Sequence, residues 1–246
     1  MLVKVPAVTA FFWIIKVLAT TVGETFSDFI NEQLGFGLTN TTLVMTAALI
    51  IVLVFQFRAN RYIPALYWLA IVQISITGTL ITDNLTDGLG FPLWASTLIF
   101  GSLLVVTFIV WWLQERTLSI KSIDTTRREG FYWLAILMTF AMGTAFGDLL
   151  GDSLALGFGP SALIFGTAIL VIGIGWRTKL IGEVLAFWLI YILTRPLGAS
   201  IGDLLSQPVK DTGLGLGPNL TSLIFLLAIL GSVTYLAVTK KDQISK

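Results

Sequence analysis

A twenty-residue stretch, Trp13 to Glu32 (WIIKVLATTVGETFSDFINE), returns three more times along this chain with its spacing intact and its polar residues altered. Laying Trp13 over Trp68, Trp133 and Trp188 brings Gly23, Gly78, Gly143 and Gly198 into register ten residues on. Asp28, Asp83, Asp148 and Asp203 fall into register fifteen residues on. Glu32, Asp87, Asp152 and Gln207 follow four residues later, and a glycine-rich turn closes each copy (LGFG, LGFP, LGFGP, LGLGP). The chain is one unit written four times, and any fold it takes has to be pseudo-symmetric.

Composition sets the solvent of that fold. Of 246 residues, 56% are hydrophobic and only 12% charged, and the mean hydropathy of +0.90 lies far above that of a soluble domain. An integral membrane protein is expected, with lipid as its surroundings. A net charge of +1 gives no basic surface for nucleic acid. The apolar run at the start is broken by Lys16 and Glu24 and belongs to the first repeat, so it is not read as a cleaved signal. The chain has no cysteine and no histidine, which removes disulfides, thiolate sites and the commonest ligands of zinc, copper and haem iron. Any metal would be held by oxygen, and no other cofactor is expected.

Apolar runs long enough to cross about 30 Å of hydrocarbon occur eight times, near residues 5–28, 39–57, 63–83, 92–113, 131–150, 160–176, 180–203 and 218–238. Two spans per unit make the repeats parallel copies related by rotation about the membrane normal. They run over 5–60, 61–116, 128–177 and 178–240 of a single membrane domain, with a linker at 115–130 between the halves. Of the 15 basic residues, 12 fall on one side, and the opposite loops carry only Lys210. The positive-inside rule then puts both termini and the linker in the cytoplasm. The repeated aspartates lie at the outer ends of spans 1, 3, 5 and 7, and the repeated tryptophans lie near the inner ends, where headgroup anchoring is the plain expectation.

The two classes of span differ in chemistry. The even spans carry no charge, whereas the odd ones hold the carboxylates together with Lys16, Glu24, Gln73 and Arg195. A charge facing lipid at the bilayer centre costs about 3 kcal/mol, so the odd spans line the interior and the even ones face lipid. Thr20, Thr21, Gln73 and Thr77 are expected as polar lining. Gly23, Gly78, Gly143 and Gly198 are expected to let the odd spans approach closely.

A spacing of four puts two residues on one helix face, so Asp28 with Glu32, Asp83 with Asp87 and Asp148 with Asp152 would each point one way. If the repeats close around an axis, these six and Asp203 bring seven carboxylates to one depth at the outer mouth. Such a ring draws cations and suits Mg, Ca or Mn, with Asp28, Asp83, Asp148 and Asp203 as candidate metal ligands. Crowded carboxylates share protons, which makes proton coupling available. The same aspartates also read as interfacial residues or caps. Lys16, Glu24 and Arg195 break the repeat inside the spans. In a closed ring the first and fourth units are neighbours, and Glu24 and Arg195 would then pair across an offset of about 6 Å along the axis, either as a structural tie or as a gating pair.

The pattern Trp13/Gly23/Asp28 and its three copies, with the opening KVPAVTAFFWIIKVLATTVGETFSDF, resembles a bacterial membrane family catalogued as a repeat of unknown function. The resemblance implies a bacterial inner-membrane location and supplies no activity. With no Ser-His or Cys-His set and no phosphate loop, no enzyme is expected. The residues point to a transporter of a cation, a divalent one such as manganese or magnesium, moved along Glu24 and the outer carboxylates. The competing expectation is a non-transporting sensor or scaffold that binds a lipid or small molecule. The sequence fixes no oligomeric state.

Overall fold

A computed structural model describes residues 3–153 and 156–243, apart from the side chains of Glu32, Asp152 and Ser153. The described residues form eight long helices and no strand. They are α1 (Ala10–Asp28), α2 (Leu38–Arg58), α3 (Pro64–Asp83), α4 (Leu93–Glu115), α5 (Thr126–Asp148), α6 (Phe158–Arg177), α7 (Glu183–Ser206) and α8 (Gly217–Thr239). Each, with its terminal turn, is long and apolar enough to cross a membrane. Helix is the one conformation in which such a span satisfies every backbone group from within.

Helices α1, α3, α5 and α7 make an inner ring and the even helices an outer one. The most apolar stretch of α3 is 78% buried, against 11% for α2. Lipid is the solvent that the exposed leucines, isoleucines and valines of α2, α4, α6 and α8 require. The outer helices do not lie on their own sequence partners. Helix α2 packs chiefly on α3, α4 on α5, α6 on α7, and α8 returns to lie on α1. Each repeat is thus closed by its successor, and the last repeat by the first.

The repeat glycines set the ring. A Cβ on Gly23 would stand 1.9 Å from Ser75 Oγ, one on Gly78 2.7 Å from Phe140 Cβ, one on Gly143 2.6 Å from Arg195 Cγ, and one on Gly198 1.8 Å from Thr20 Oγ1. Ser75, Phe140, Arg195 and Thr20 hold one and the same repeat position, so a single contact is made four times around an axis. Hydroxyl bonds lace the same seams: Thr20 Oγ1 donates to Thr194 O at 3.2 Å, Thr21 Oγ1 to Gly198 O at 3.0 Å and Thr82 Oγ1 to Ala141 O at 2.9 Å.

One expectation is corrected here. Three of the four repeat tryptophans are not headgroup anchors: Trp68, Trp133 and Trp188 are 1%, 3% and 4% exposed, and Trp188 Nε1 donates to Leu118 O at 2.9 Å, while Trp13 is half-buried. Each follows an aromatic residue of the axial layer; Trp68 and Trp133 pack on aromatic rings of the inner helices, and Trp188 on Tyr132 and on Phe108 and Trp111 of α4. Between α4 and α5 the linker runs over residues 116–125, within the expected 115–130. Thr125 caps α5 by accepting from Arg128 N, and Arg128 in turn bonds Glu115 at 2.8 Å and Asp124 at 3.0 Å.

The side that carries the termini is tied shut by buried polar contacts. Lys4 Nζ donates to Glu129 Oε2 at 2.7 Å and to Phe57 O at 2.9 Å, while Gln56 Nε2 donates to the other Glu129 oxygen at 3.2 Å. Ala7 N donates to Asp242 O at 2.7 Å, and the Tyr62 hydroxyl donates to the Asp242 carboxylate. Burial pushes the Asp242 carboxyl above the usual carboxylate range and the Tyr62 phenol above its ordinary value.

Candidate functional site along the ring axis

A spacing of four along each inner helix stacks residues in layers around the axis. The innermost layer is aromatic: Phe12, Tyr67, Tyr132 and Phe187. Above it come Lys16, Ile71, Ile136 and Tyr191, then Thr20, Ser75, Phe140 and Arg195, then Glu24, Thr79, Thr144 and Ala199. The aspartates Asp28, Asp83, Asp148 and Asp203 close the stack. The second and third layers are wholly buried, the fourth is buried with Glu24 at 8% exposure, and three of the four aspartates reach intermediate exposure. Among the described residues the axis is therefore a packed core on the side of the termini, with exposure rising toward its acidic end.

Arg195 organises the fourth layer from below. Its Nη2 donates to Glu24 Oε2 at 2.6 Å, to Thr144 Oγ1 at 2.7 Å and to Thr79 Oγ1. It thereby reaches α1, α5 and, across the axis, α3. The Glu24 to Arg195 ion pair is present, with Arg195 at 0% exposure. Its other nitrogens, Nε and Nη1, have no partner among the described protein atoms. Pro196 follows within α7 and removes one backbone donor. One layer deeper, Lys16 Nζ is wholly buried and also unpartnered. It lies 3.9 Å from the centre of the Phe140 ring across the axis and 4.4 Å from that of Tyr191, a cation–π setting.

Other expected site residues fall elsewhere. Gln73 and Thr77 do not line the axis: Gln73 Nε2 donates to Met45 O at 3.1 Å and Thr77 Oγ1 to the same carbonyl at 3.4 Å. They stand two residues off the axial stripe, about 200° around the helix, and fasten α3 to α2. Thr21 likewise belongs to the α1–α7 seam, while Thr20 is axial. Inner helices α1, α3 and α5 end in single π-helical turns, Phe29–Gln33, Asn84–Gly88 and Leu149–Ser153, a widening common at functional sites. The wider turn breaks the one-face reading of the carboxylate pairs, and Asp87 is exposed where Asp83 is half-buried. The side chains of Glu32 and Asp152 lie outside the described residues.

Asp83 lies within Coulombic range of Glu24, Asp148, Asp28 and Asp87, so the end of the axis away from the termini is one acidic field. Among the described residues, however, no three carboxylates converge closely enough to hold a metal ion. The four-aspartate coordination site expected from the repeat is not formed. Shared field is a looser condition than ligation, which needs several oxygens about 2.0–2.6 Å from one ion.

The Lys4–Glu129 pair and the tyrosines at the base of the axis were not singled out in the sequence. Tyr67 and Tyr132 share a hydrogen bond of 2.5 Å, and counting back from Asp83 and Asp148 in fours would have placed both on the axis. Glu129 offers no such signal, since the equivalent positions are Thr9, Pro64 and Val184.

No curated protein and no solved structure gives a significant match to the chain. The model of the family described as a Repeat of Unknown Function (DUF347) matches four times in tandem, over residues 11–62, 66–117, 131–179 and 186–242. The matches restart with each pair of helices that the ring repeats, and together they span most of the chain: the protein belongs to the Repeat of Unknown Function (DUF347) family.

Proposed function

We propose that this membrane protein is a cation transporter, with the acidic end of the axis as its entry and the Glu24–Arg195 pair as its gate. The observation that carries the reading is a carboxylate field open at one end of the axis and floored by a buried ion pair. A cation arriving in that field competes with Arg195 for Glu24. Release of the guanidinium from Glu24, Thr79 and Thr144 would uncouple three inner helices at once, beside a proline in α7. Magnesium or manganese fits a site without convergent ligands, because a small divalent ion dehydrates reluctantly and is held through its waters by one or two carboxylates. We place the protein in the bacterial inner membrane with its termini in the cytoplasm, the side on which its basic residues cluster.

The test is flux into proteoliposomes that contain a metal-sensitive dye, with manganese, magnesium, calcium and a monovalent control supplied outside, with and without a pH gradient. Entry that falls in Asp28→Asn and Asp148→Asn supports the reading. Absence of flux for every ion, from folded protein inserted in both orientations, overturns it.

A second reading has its own observation. A cavity of about 690 Å³ opens on the outside of the ring, floored by α1 and α7 and walled by α6 and the linker. Its lining is mostly apolar, with Arg177 and Glu183 at the rim. A sensor or scaffold that binds a lipid or small molecule would use this cavity and leave the axis closed. Lipid retained through purification and lost on Gly173→Trp, with no ion flux, would favour it.

A further inference from the structure

The packed half of the axis is apolar in outline yet holds a succession of protonatable groups. At the end near the termini, the Tyr62 hydroxyl donates to the Asp242 carboxylate. The Tyr62 ring stands edge-on to Tyr67 at 5.8 Å. Tyr67 and Tyr132, from α3 and α5, share their 2.5 Å hydrogen bond in the aromatic layer. Tyr191 of α7 lies within Coulombic range of both hydroxyls, and its ring flanks Lys16 Nζ at 4.4 Å. Lys16 is faced by Tyr191 and Arg195 from α7 and by Phe140 from α5. Beyond it stand Arg195, Glu24 and the acidic end. From Tyr67 to Asp83 this series covers about 24 Å at 1.5 Å per residue, most of a hydrocarbon core.

A phenol in such a core is an unusual choice unless its hydroxyl is used. A buried polar group without a partner costs on the order of 1–3 kcal/mol, and phenylalanine would fill the same space without that cost. Phe12 and Phe187 do so at the equivalent positions of the first and last repeats. The hydroxyl of Tyr191 and the amine of Lys16 are both buried without a protein partner, which leaves each with unspent hydrogen-bonding capacity.

We propose that the packed axis is a proton-conducting file, running from Asp242 and Tyr62 through Tyr67, Tyr132, Tyr191 and Lys16 to Glu24. Each hydroxyl passes its own proton onward and takes another on the oxygen lone pair, while Lys16 alternates between amine and ammonium. One proton enters for each that leaves, and no oxidation state changes. Arg195 keeps its charge throughout and holds Glu24 as the acceptor beyond Lys16. The file rests on the transporter reading only for its outer port; its inner half needs no cation.

The experiment uses proteoliposomes of the full chain with a trapped pH dye, no divalent metal, and a potassium diffusion potential set by valinomycin. The wild type is expected to carry protons well above protein-free vesicles. Tyr67→Phe and Tyr132→Phe, each of which loses only a hydroxyl, are expected to fall to the protein-free rate, and Lys16→Met with them. Tyr235→Phe, outside the file, is expected to match the wild type. Wild-type vesicles no leakier than protein-free ones, or undiminished flux in both tyrosine variants, would overturn the file. Should an axial variant fail to reconstitute as a monodisperse protein, Asp242→Asn at the end of the file decides in the same way. Metal entry without proton flux removes the file and leaves the cation reading standing; proton flux without metal entry does the reverse.

Discussion

Gly198 of the last repeat meets Thr20 of the first with no room for a methyl group: a Cβ there would lie 1.8 Å from Thr20 Oγ1 and 2.5 Å from Thr20 Cβ. Thr20 cannot turn aside without losing its bonds to Val17 O and Thr194 O. Gly198→Ala is therefore expected to lower stability by about 1–3 kcal/mol through overpacking. Gly231→Ala, on the lipid face of α8 with nothing within 4 Å, is expected to be neutral or mildly stabilising. Thermal unfolding in one detergent compares the two.

Removing one partner of the Arg195–Glu24 pair strands a buried charge, a change that costs about 3–5 kcal/mol in other proteins. Glu24→Leu and Arg195→Leu are each expected to destabilise strongly, and the double variant to recover much of the loss. A double-mutant cycle read by thermal unfolding gives the coupling; additive losses would show that the two side chains do not act as a pair. Ion flux is expected to stay low in the double variant even where stability returns.

The Lys4–Glu129 pair, with side chains 2% and 1% exposed, predicts a comparable penalty at the other end of the molecule. Glu129→Ala leaves the Lys4 amine with only the Phe57 carbonyl and Gln56 Nε2 with no acceptor, a loss expected at about 3 kcal/mol. Limited proteolysis at the N-terminus, which this pair holds down, should accelerate in the variant.

The Tyr62–Asp242 contact carries a pH signature. Its carboxyl titrates above the ordinary range because burial disfavours the charged form, so the folded chain holds this proton more tightly than the unfolded one. The stability that the buried Asp242 contributes is fully present below about pH 3.9, the unperturbed value, and is lost as pH rises through the folded pKa, although the Tyr62 hydrogen bond itself favours the ionised carboxylate. Asp242→Asn should remove that dependence, giving a flatter profile of unfolding temperature against pH than the wild type over the acid range.

Sidedness can be read without background, because the chain has no cysteine. Lys121→Cys lies among the basic loops, and Val209→Cys is 75% exposed in the wild-type residue at the opposite end. In intact spheroplasts an impermeant maleimide is expected to label position 209 alone. Labelling of position 121 alone would invert the orientation proposed from the basic residues.

Much of the architecture is legible because the unit repeats. One Trp–Gly–Asp frame establishes the copies, and a polarity difference between neighbouring spans sorts them into inner and outer rings. Asymmetry within the frame marks Lys16, Glu24 and Arg195, and adjacency of the first and last copies brings Glu24 to Arg195. What stays hidden depends on angle or on contacts between copies. The indole of Trp68 suits a headgroup or a core equally well, and only its position beside axial Tyr67 decides. The π turns after Asp28, Asp83 and Asp148 arise from five-residue segments that share an aliphatic second and an acidic fourth residue (FINEQ, NLTDG, LLGDS), a pattern that an α-helical turn would carry equally well. Gln73 is polar within an inner span, yet it serves a carbonyl on α2, because polarity does not report which side of a helix a residue occupies.

The handing of each outer helix to the following repeat bears on how such a molecule could arise and assemble. A single two-helix unit, made alone, would have its second helix on no partner and the seat on its first helix vacant. Four separate copies set in this ring would satisfy one another by donating these helices around a circle. Joining the genes turned three of those exchanges into steps along one polypeptide and left the fourth, α8 onto α1, to be made after the last helix leaves the ribosome. Insertion of this protein therefore ends with a clasp, and a chain truncated before α8 would keep its inner ring, closed by α7 on α1, but leave the outer face of α1 bare.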